Sequence, residues 1–407
     1  MIASVLFTTC DFTILYLAGQ INYNNLVVIK KPVKIIIVGA GPVGCYLGQL
    51  LKQHGFNPLL LEDHAEVGKP VQCSGIVGSK VFEDMRLPIS DRSIINTIDG
   101  SHLSYNGTSF DLKRPGVAYI IDREIFDKEL SKKLEIEFGT ELQDIHRIKD
   151  GYILKTNNGE YFADIVIGAD GPNSRVRKAL GFASDMKLYR GYQYRVRHDL
   201  EKVNQVMVSY VKPFSLFNWV IPEGNGVVRI GTISNNPYQE LNSFIEKNQL
   251  SGEIIEKTAG AIPIGSCELV RENAALGGDA ACQVKPITSG GIYYGMKSAE
   301  FLADAIKEGN LALYPTKWTA EFEQEIKVCL LLRYIMENMG DDVLKKFFNY
   351  IADNAKLVEQ IGDFENHSSI IWSLASNPRT YPTIGTLLMG LVRNPRFLFR
   401  SLLRLPR

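Results

Sequence analysis

The chain of 407 residues has little that would staple it, metallate it or anchor it. Its 6 cysteines (Cys10, Cys45, Cys73, Cys267, Cys282, Cys329) are scattered without a C-x-x-C pair, and its 6 histidines show no zinc-ligand spacing. This pattern argues against a disulfide framework or a structural metal and fits a reducing compartment. An excess of either charge is also missing. The 45 basic and 45 acidic side chains cancel, so nothing global attracts nucleic acid. Repeats and low-complexity tracts are absent. Residues 1–31 begin apolar, but Asp11 splits the run and no basic stretch precedes it, which disfavours a membrane span and a signal peptide. We read them as an N-terminal extension, most simply explained by a start codon upstream of the native one. The stretch Arg379–Arg407 lacks acid altogether. Its arginines (Arg379, Arg393, Arg396, Arg400, Arg404, Arg407) alternate with leucine and phenylalanine. That composition suits a peripheral surface in the headgroup layer of an anionic membrane. It equally suits terminal helices docked on the core with arginines in water, and Pro382 and Pro395 rule out one long helix.

What is present is organised around Val33–Glu62, VKIIIVGAGPVGCYLGQLLKQHGFNPLLLE. Val33–Val38 predicts a buried parallel strand. Gly39, Gly41 and Gly44 then follow G-x-G-x-x-G, with Pro42 inside it. These glycines serve a tight turn, a close approach to pyrophosphate, and close packing of helix on strand. A helix over Cys45–His54 and a second strand, Pro58–Leu61, lead to Glu62, whose carboxylate can accept from ribose hydroxyls. Strand, glycines, helix, strand and acid in register predict a Rossmann-like dinucleotide site.

Further along, Gly68–Gly78 (GKPVQCSGIVG) is rich in small residues, as where backbone passes a ligand, with Cys73 at its centre. A small buried hydrophobe and a cofactor-side thiol are both open readings of Cys73. Asp122 is placed to cap a helix that begins with Arg123. Asn157-Asn158-Gly159 predicts a hairpin turn before an apolar strand, Ala163–Gly168, that delivers Asp170-Gly171 and a short basic helix. From Leu188 to Val270, β-branched and aromatic alternation predicts an antiparallel sheet. Its Tyr192, Tyr194, Tyr210, Phe214, Phe217 and Trp219 either wall an apolar pocket or pack the sheet. Gly278-Asp279 and Pro286–Ile292, including Gly290 and Gly291, lead into a helix over Tyr293–Lys307 whose N-terminal N–H groups can face an anion or a carbonyl. Beyond Leu311 the pattern is helical.

Three glycine–acid corners exceed what a nicotinamide enzyme needs. Together GAGPVG with Glu62, IDREIFDKEL, GADGPNSRVR and GGDAACQVKPITSGGI resemble the FAD-dependent p-hydroxybenzoate hydroxylase-type fold. The resemblance spans residues 33 to about 307. It implies FAD held by Gly39, Gly41, Pro42, Gly44, Glu62, Arg123, Asp170, Gly171, Asp279, Pro286, Gly290, Gly291 and Ile292. Within that fold, KPVQCSGIVG and Phe217-x-Trp219-x-Ile221-Pro222 with Gly231 resemble the geranylgeranyl reductase family. Phe217 stands where that family usually has Tyr, Ile221 where it has Phe, and Asp63 where it often has a basic residue.

The resemblance implies an α/β (α+β) protein with four parts: the extension 1–31, a discontinuous FAD domain (32–187 and 265–310, with part of 80–120 near the next unit), an antiparallel-sheet substrate domain (188–264), and a helical region (311–407). It also implies Cys73 beside the flavin and a substrate wall of Tyr192, Tyr194, Phe217, Trp219 and Pro222. The implied activity is reduction of isolated C=C bonds in geranylgeranyl chains, foremost those of digeranylgeranylglyceryl phospholipids of archaeal-type membranes. Such bonds have no adjacent carbonyl. Protonation toward a tertiary cation with hydride delivery, inside a dry aromatic cavity, is the chemistry that follows. An external reductant such as NAD(P)H or ferredoxin is then required, and a cytoplasmic location with peripheral membrane contact through the tail is expected. A flavin- and NAD(P)H-dependent aromatic hydroxylase and a non-enzymatic electron relay are the competing readings.

Overall fold

The structure is a computed structural model that describes residues 33–212 and 216–375. The apolar run Ile35–Val38 forms β1, buried along its whole length. Helix α1 (Pro42–Gln53) follows, with Pro42 at a position where the missing N–H costs nothing. It returns the chain to β2 (Leu59–Leu61), which pairs parallel to β1. Around this unit a six-stranded sheet assembles in the order β16-β17-β10-β1-β2-β6. Its other members are β6 (Glu135–Glu137), β10 (Ile165–Gly168), β16 (Val270–Arg271) and β17 (Ala274–Leu276). Helices α1, α3 (Arg123–Ser131) and α6 (Ile292–Lys307) supply apolar faces to its core. The expected hairpin is part of a small sheet of β7 (Leu142–Ile148), β8 (Gly151–Thr156) and β9 (Gly159–Ala163).

A second sheet of eight strands runs β15-β11-β14-β13-β12-β4-β5-β3. Five strands come from the aromatic segment: β11 (Lys187–Arg197), β12 (Gln205–Val211), β13 (Leu216–Gly224), β14 (Val227–Ile233) and β15 (Ile254–Ile264). The other three, β3 (Ile76–Gly78), β4 (Ile94–Tyr105) and β5 (Thr108–Ile121), arrive from much earlier in the chain. The β4–β5 turn is Asn106-Gly107, both at positive φ (45° and 83°), which matches the right-handed twist of a tight hairpin. The strands of the aromatic segment pair antiparallel with one another, as expected, and the early strands join them through β4, which pairs parallel to β12. Between β14 and β15 lies α5 (Pro237–Lys247), which covers one face through Leu241 and Phe244.

Two short helices, α2 (Lys80–Glu83) and α4 (Arg175–Ala179), complete the part built on the six-stranded sheet. The C-terminal region is helical as expected: α7 (Leu313–Asn338), α8 (Asp341–Asp353), α9 (Ala355–Ile361) and α10 (Ser368–Ala375). Among the described residues no helix is long and apolar enough to cross a membrane. The N-terminal extension, Phe214 and the arginine-rich stretch Arg379–Arg407 lie outside the described residues.

Candidate functional site

A cavity of about 1110 Å³ runs from the carboxyl ends of β1, β2 and β10 to the open face of the eight-stranded sheet and the C-terminal helices. Its first end is built by glycines. Gly39 has φ +100°, and a Cβ there would lie 2.4 Å from the Ala169 carbonyl oxygen. A Cβ on Gly44 would sit 2.0 Å from the Gly39 oxygen, so this glycine lets α1 close on the turn and does not line the cavity. Gly41 is different. Nothing lies within 4 Å of a Cβ there, and it caps α1 with no side-chain hydrogen bond, leaving the helix N-terminus facing the cavity. Glu62, at the end of β2, accepts from the Ala40 N–H (2.7 Å) and from the His64 N–H (3.2 Å), which orients its carboxylate beside that turn. A carboxylate keeps further lone pairs for ligand hydroxyls.

Asp170 and Gly171 follow β10 at the same rim. One Asp170 oxygen accepts from the Arg175 and Val176 N–H groups, while the other is buried without a partner. Asp279, on the turn after β17, lines the cavity. Burial pushes its carboxyl up to about 6, against the opposing pull of Arg123. A Cβ on Gly291 would come within 2.8 Å of that carboxylate, so the start of α6 has to be glycine for Asp279 to keep its place. Gly291 caps α6 with no side-chain bond, and Gly290, Gly291 and Ile292 line the cavity while Pro286 does not. Two uncapped helix N-termini, an orphan carboxylate oxygen and an open glycine cradle fit a dinucleotide with its pyrophosphate and hydroxyl groups.

The small-residue loop meets this end. Cys73 lines the cavity, and its sulfur accepts from the Gly75 N–H at 3.3 Å. Arg123 begins α3, which Asp122 caps through the Ile125 N–H at 3.0 Å. Its guanidinium grips Asp127 in a fork, Nε to Oδ1 at 3.0 Å and Nη2 to Oδ2 at 2.8 Å. Burial works against its charge, but Asp127 and Cys73 beside it keep the group protonated. Arg123 thus stands among Cys73, Asp127 and Asp279.

The second end is the sheet. Alternation along β13 turns Phe217, Trp219 and Ile221 to the cavity. It turns Pro222 away, correcting its expected place in the wall. Tyr194 is likewise withdrawn: it packs in the cluster under α5, with its ring edge-on to Tyr192 at 5.2 Å. Tyr192 borders the cavity while its ring meets Tyr194 and Tyr238. Trp219 pairs across the ladder with Gly231, where a Cβ would lie 2.2 Å from the indole, so the glycine is the space the ring occupies. The indole Nε1–H donates to Gln193 Oε1 at 3.0 Å, and Gln193 Nε2 donates to the Cys73 carbonyl at 3.4 Å. Arg229 adds a second clasp on the loop, donating to the Ser74 carbonyl at 2.7 Å from an ion pair with Glu223. Gly75 (φ +71°) leaves room for this guanidinium.

Gln193, Arg229 and the pair Lys285–Glu365 were not singled out by sequence reasoning. Lys285 Nζ donates to Glu365 Oε2 and to the Phe364 carbonyl, both at 2.9 Å, and both side chains are 4% exposed. This pair fastens the segment before α10 over the Pro286–Ile292 loop. Its partners are separated by eighty residues of chain, and only the three-dimensional fold reveals such a pairing.

A parallel sheet with a glycine cradle, joined through one cavity to an apolar sheet wall, defines a flavin-binding oxidoreductase fold. An NAD(P)-binding Rossmann-like domain model matches residues 37–78. A geranylgeranyl bacteriochlorophyll reductase-like protein of Thermoplasma acidophilum superposes with a TM-score of 0.75 at 20% identity, over 87% of this chain and 98% of that one. Digeranylgeranylglycerophospholipid reductase 1 of Methanosphaera stadtmanae is 30% identical over 77% of this chain and 87% of its own length. Its counterpart from Methanococcoides burtonii is 28% identical over 85% and 95%. The chain belongs to the digeranylgeranylglycerophospholipid reductase family.

Proposed function

We propose that this protein is an FAD-dependent reductase that saturates isolated C=C bonds of geranylgeranyl chains, with digeranylgeranylglyceryl phospholipids as substrate. The observation that carries the reading is the continuous cavity. It joins a dinucleotide cradle to an apolar wall whose central Trp219 is hydrogen-bonded, through Gln193, to the Cys73 loop. Family membership and the substrate named for the Methanosphaera stadtmanae relative support it. In this reading residues 32–187 and 265–310 hold the cofactor, and 188–264, joined by β3–β5, hold the lipid.

Bound FAD would supply the hydride, replenished by an external reductant such as NAD(P)H or ferredoxin. The chain's own residues do the rest. Gly39, Gly41, Pro42 and the start of α1 receive the pyrophosphate, and Glu62 accepts from the ribose. Asp279 accepts from a ribityl hydroxyl, and Arg123 turns its charge toward the flavin nucleotide. Gly290–Ile292 offer N–H groups at the head of α6. Phe217, Trp219 and Ile221 exclude water from the lipid chain, which suits an unactivated alkene that water would otherwise outcompete for a proton. Cys73 borders the space between these groups and serves as proton relay or positional group.

The test is anaerobic. Protein carrying FAD is reduced with dithionite and mixed with digeranylgeranylglyceryl phosphate, while flavin absorbance and lipid mass are followed. Reoxidation with a gain of two hydrogens per bond is expected. Flavin that stays reduced until oxygen enters would move an aromatic hydroxylase to the front.

A further inference from the structure

Among the described residues, six lysine and arginine side chains line the cavity, and four of them hold a carboxylate. Lys69 pairs with Glu66 and Glu124, Arg123 with Asp127, Arg175 with Glu141, and Lys285 with Glu365. Lys113 and Arg114 hold none among the described residues, and their side chains make no hydrogen bond there. Both are exposed.

Their place is built into the sheet. The β4–β5 ladder is regular up to Gly100–Lys113 and resumes at Ile98–Ala118, so Arg114, Pro115, Gly116 and Val117 oppose a single residue, Asp99. This wide bulge is held in shape. Gly116 takes φ +66° and donates its N–H to Asp99 Oδ1 at 2.8 Å, while Lys113 donates its N–H to Glu359 Oε1 at 2.7 Å. Lys113 and Arg114 line the cavity next to Phe110 and Leu112 of the same strand. The apolar wall therefore gives way to two adjacent cations. At ~3.3 Å of strand per residue, Arg114 lies within ~30 Å of Arg123 at the flavin end, a span suited to an extended chain of several isoprene units.

Adjacent like charges at the edge of an apolar cavity repel each other and gain nothing from that surface, whereas an anion between them reverses the sign. Glu359 accepts the Lys113 main-chain N–H through Oε1 and forms no ion pair with either side chain among the described residues. We infer that Lys113 and Arg114, presented by the β5 bulge, bind the phosphate of the substrate while its isoprenoid chain extends along the sheet toward the flavin end. The inference rests on the reductase reading above and names the residues that select a phosphorylated lipid over a neutral one.

The experiment uses FAD-loaded protein and two probes dispersed in the same neutral detergent, geranylgeranyl phosphate and geranylgeraniol. Binding is read as perturbation of the oxidised flavin spectrum, and turnover is read separately as kcat and KM. Wild type is expected to bind the phosphate at least tenfold more tightly than the alcohol, with the difference shrinking as salt rises. Lys113→Ala/Arg114→Ala should bring the phosphate down to the level of the alcohol, raise its KM by about tenfold and leave kcat unchanged. Arg114→Lys should recover part of the loss. Inorganic phosphate should compete weakly in wild type and not in the double variant. Equal wild-type affinity for the two lipids, or the same loss on both in the variant, would overturn the assignment of the phosphate to Lys113 and Arg114 and leave the reductase intact. Failure of wild type to bind or reduce either lipid would sink both.

Discussion

At the scale of single residues, the site depends on a few contacts that leave no slack. Gly231 is the clearest, because a side chain there would occupy the indole of Trp219. Gly231→Val should expel the ring, break its bond to Gln193 and loosen the Cys73 loop. The expected readout is a changed flavin spectrum together with a KM raised tenfold or more, while Trp219→Phe keeps the wall and changes KM far less. Cys73→Ala should lower kcat and shift the flavin absorbance if the thiol borders the flavin; an unchanged spectrum with full turnover would remove Cys73 from the site. Asp279 gives a pH signature. Its carboxyl titrates near 6 when folded, above the ordinary 3.8, so its contribution to stability is full below about pH 4 and is lost as pH rises through 6. Flavin-free wild type should therefore lose roughly 1.4 kcal/mol more between pH 5 and 7.5 than Asp279→Asn, measured by urea melts at each pH. The sequence exposed the backbone chemistry of this site well, since glycine spacing reports directly on close approach. It was silent on Gln193 and Arg229, whose roles depend on which strand faces which loop. It misplaced Tyr194 and Pro222, because an aromatic alternation marks two faces without saying which one borders the cavity.

At the scale of elements, α10 is tied to α7 by one buried carboxylate. Glu325 Oε1 accepts from the His367 N–H and Oε2 from the Ser368 N–H, both at 2.8 Å, so the side chain of one helix caps the start of another. Burial pushes Glu325 up, but these bonds prevail and hold it at about 2. A depressed carboxyl stabilises above its unfolded value near 4.5, and that contribution fades as pH falls toward 2. Glu325→Gln should cost about 2 kcal/mol at pH 7 and much less at pH 3, followed by thermal melts at both. The antiparallel sheet of the aromatic segment was legible from period-two alternation, which continues along β12, Gln205–Val211. The helix α5 and the long β4–β5 hairpin were not read, although Asn106-Gly107 is a turn signal of the strongest kind. The bulge at Arg114 leaves almost no trace in sequence beyond Pro115-Gly116.

At the scale of the whole molecule, the glycine cradle is assembled from corners that could each be read locally, although they lie far apart in the chain. The apolar wall of the cavity is a composite of residues 76–121 and 187–264, closed by helices from the last hundred residues. Local patterns cannot announce a partnership of that kind. The parallel junction of β4 with β12 also sets the order in which the protein can be made. When β4 and β5 leave the ribosome, the strand that covers the β4 edge has about a hundred residues still to be synthesised. At ~5–20 residues per second that edge stays bare for ~5–20 s, long enough to recruit a neighbouring nascent chain. Slowing translation between Tyr105 and Gln205 with rare codons should lower the soluble yield, while the same codons placed after Ile264 should have little effect.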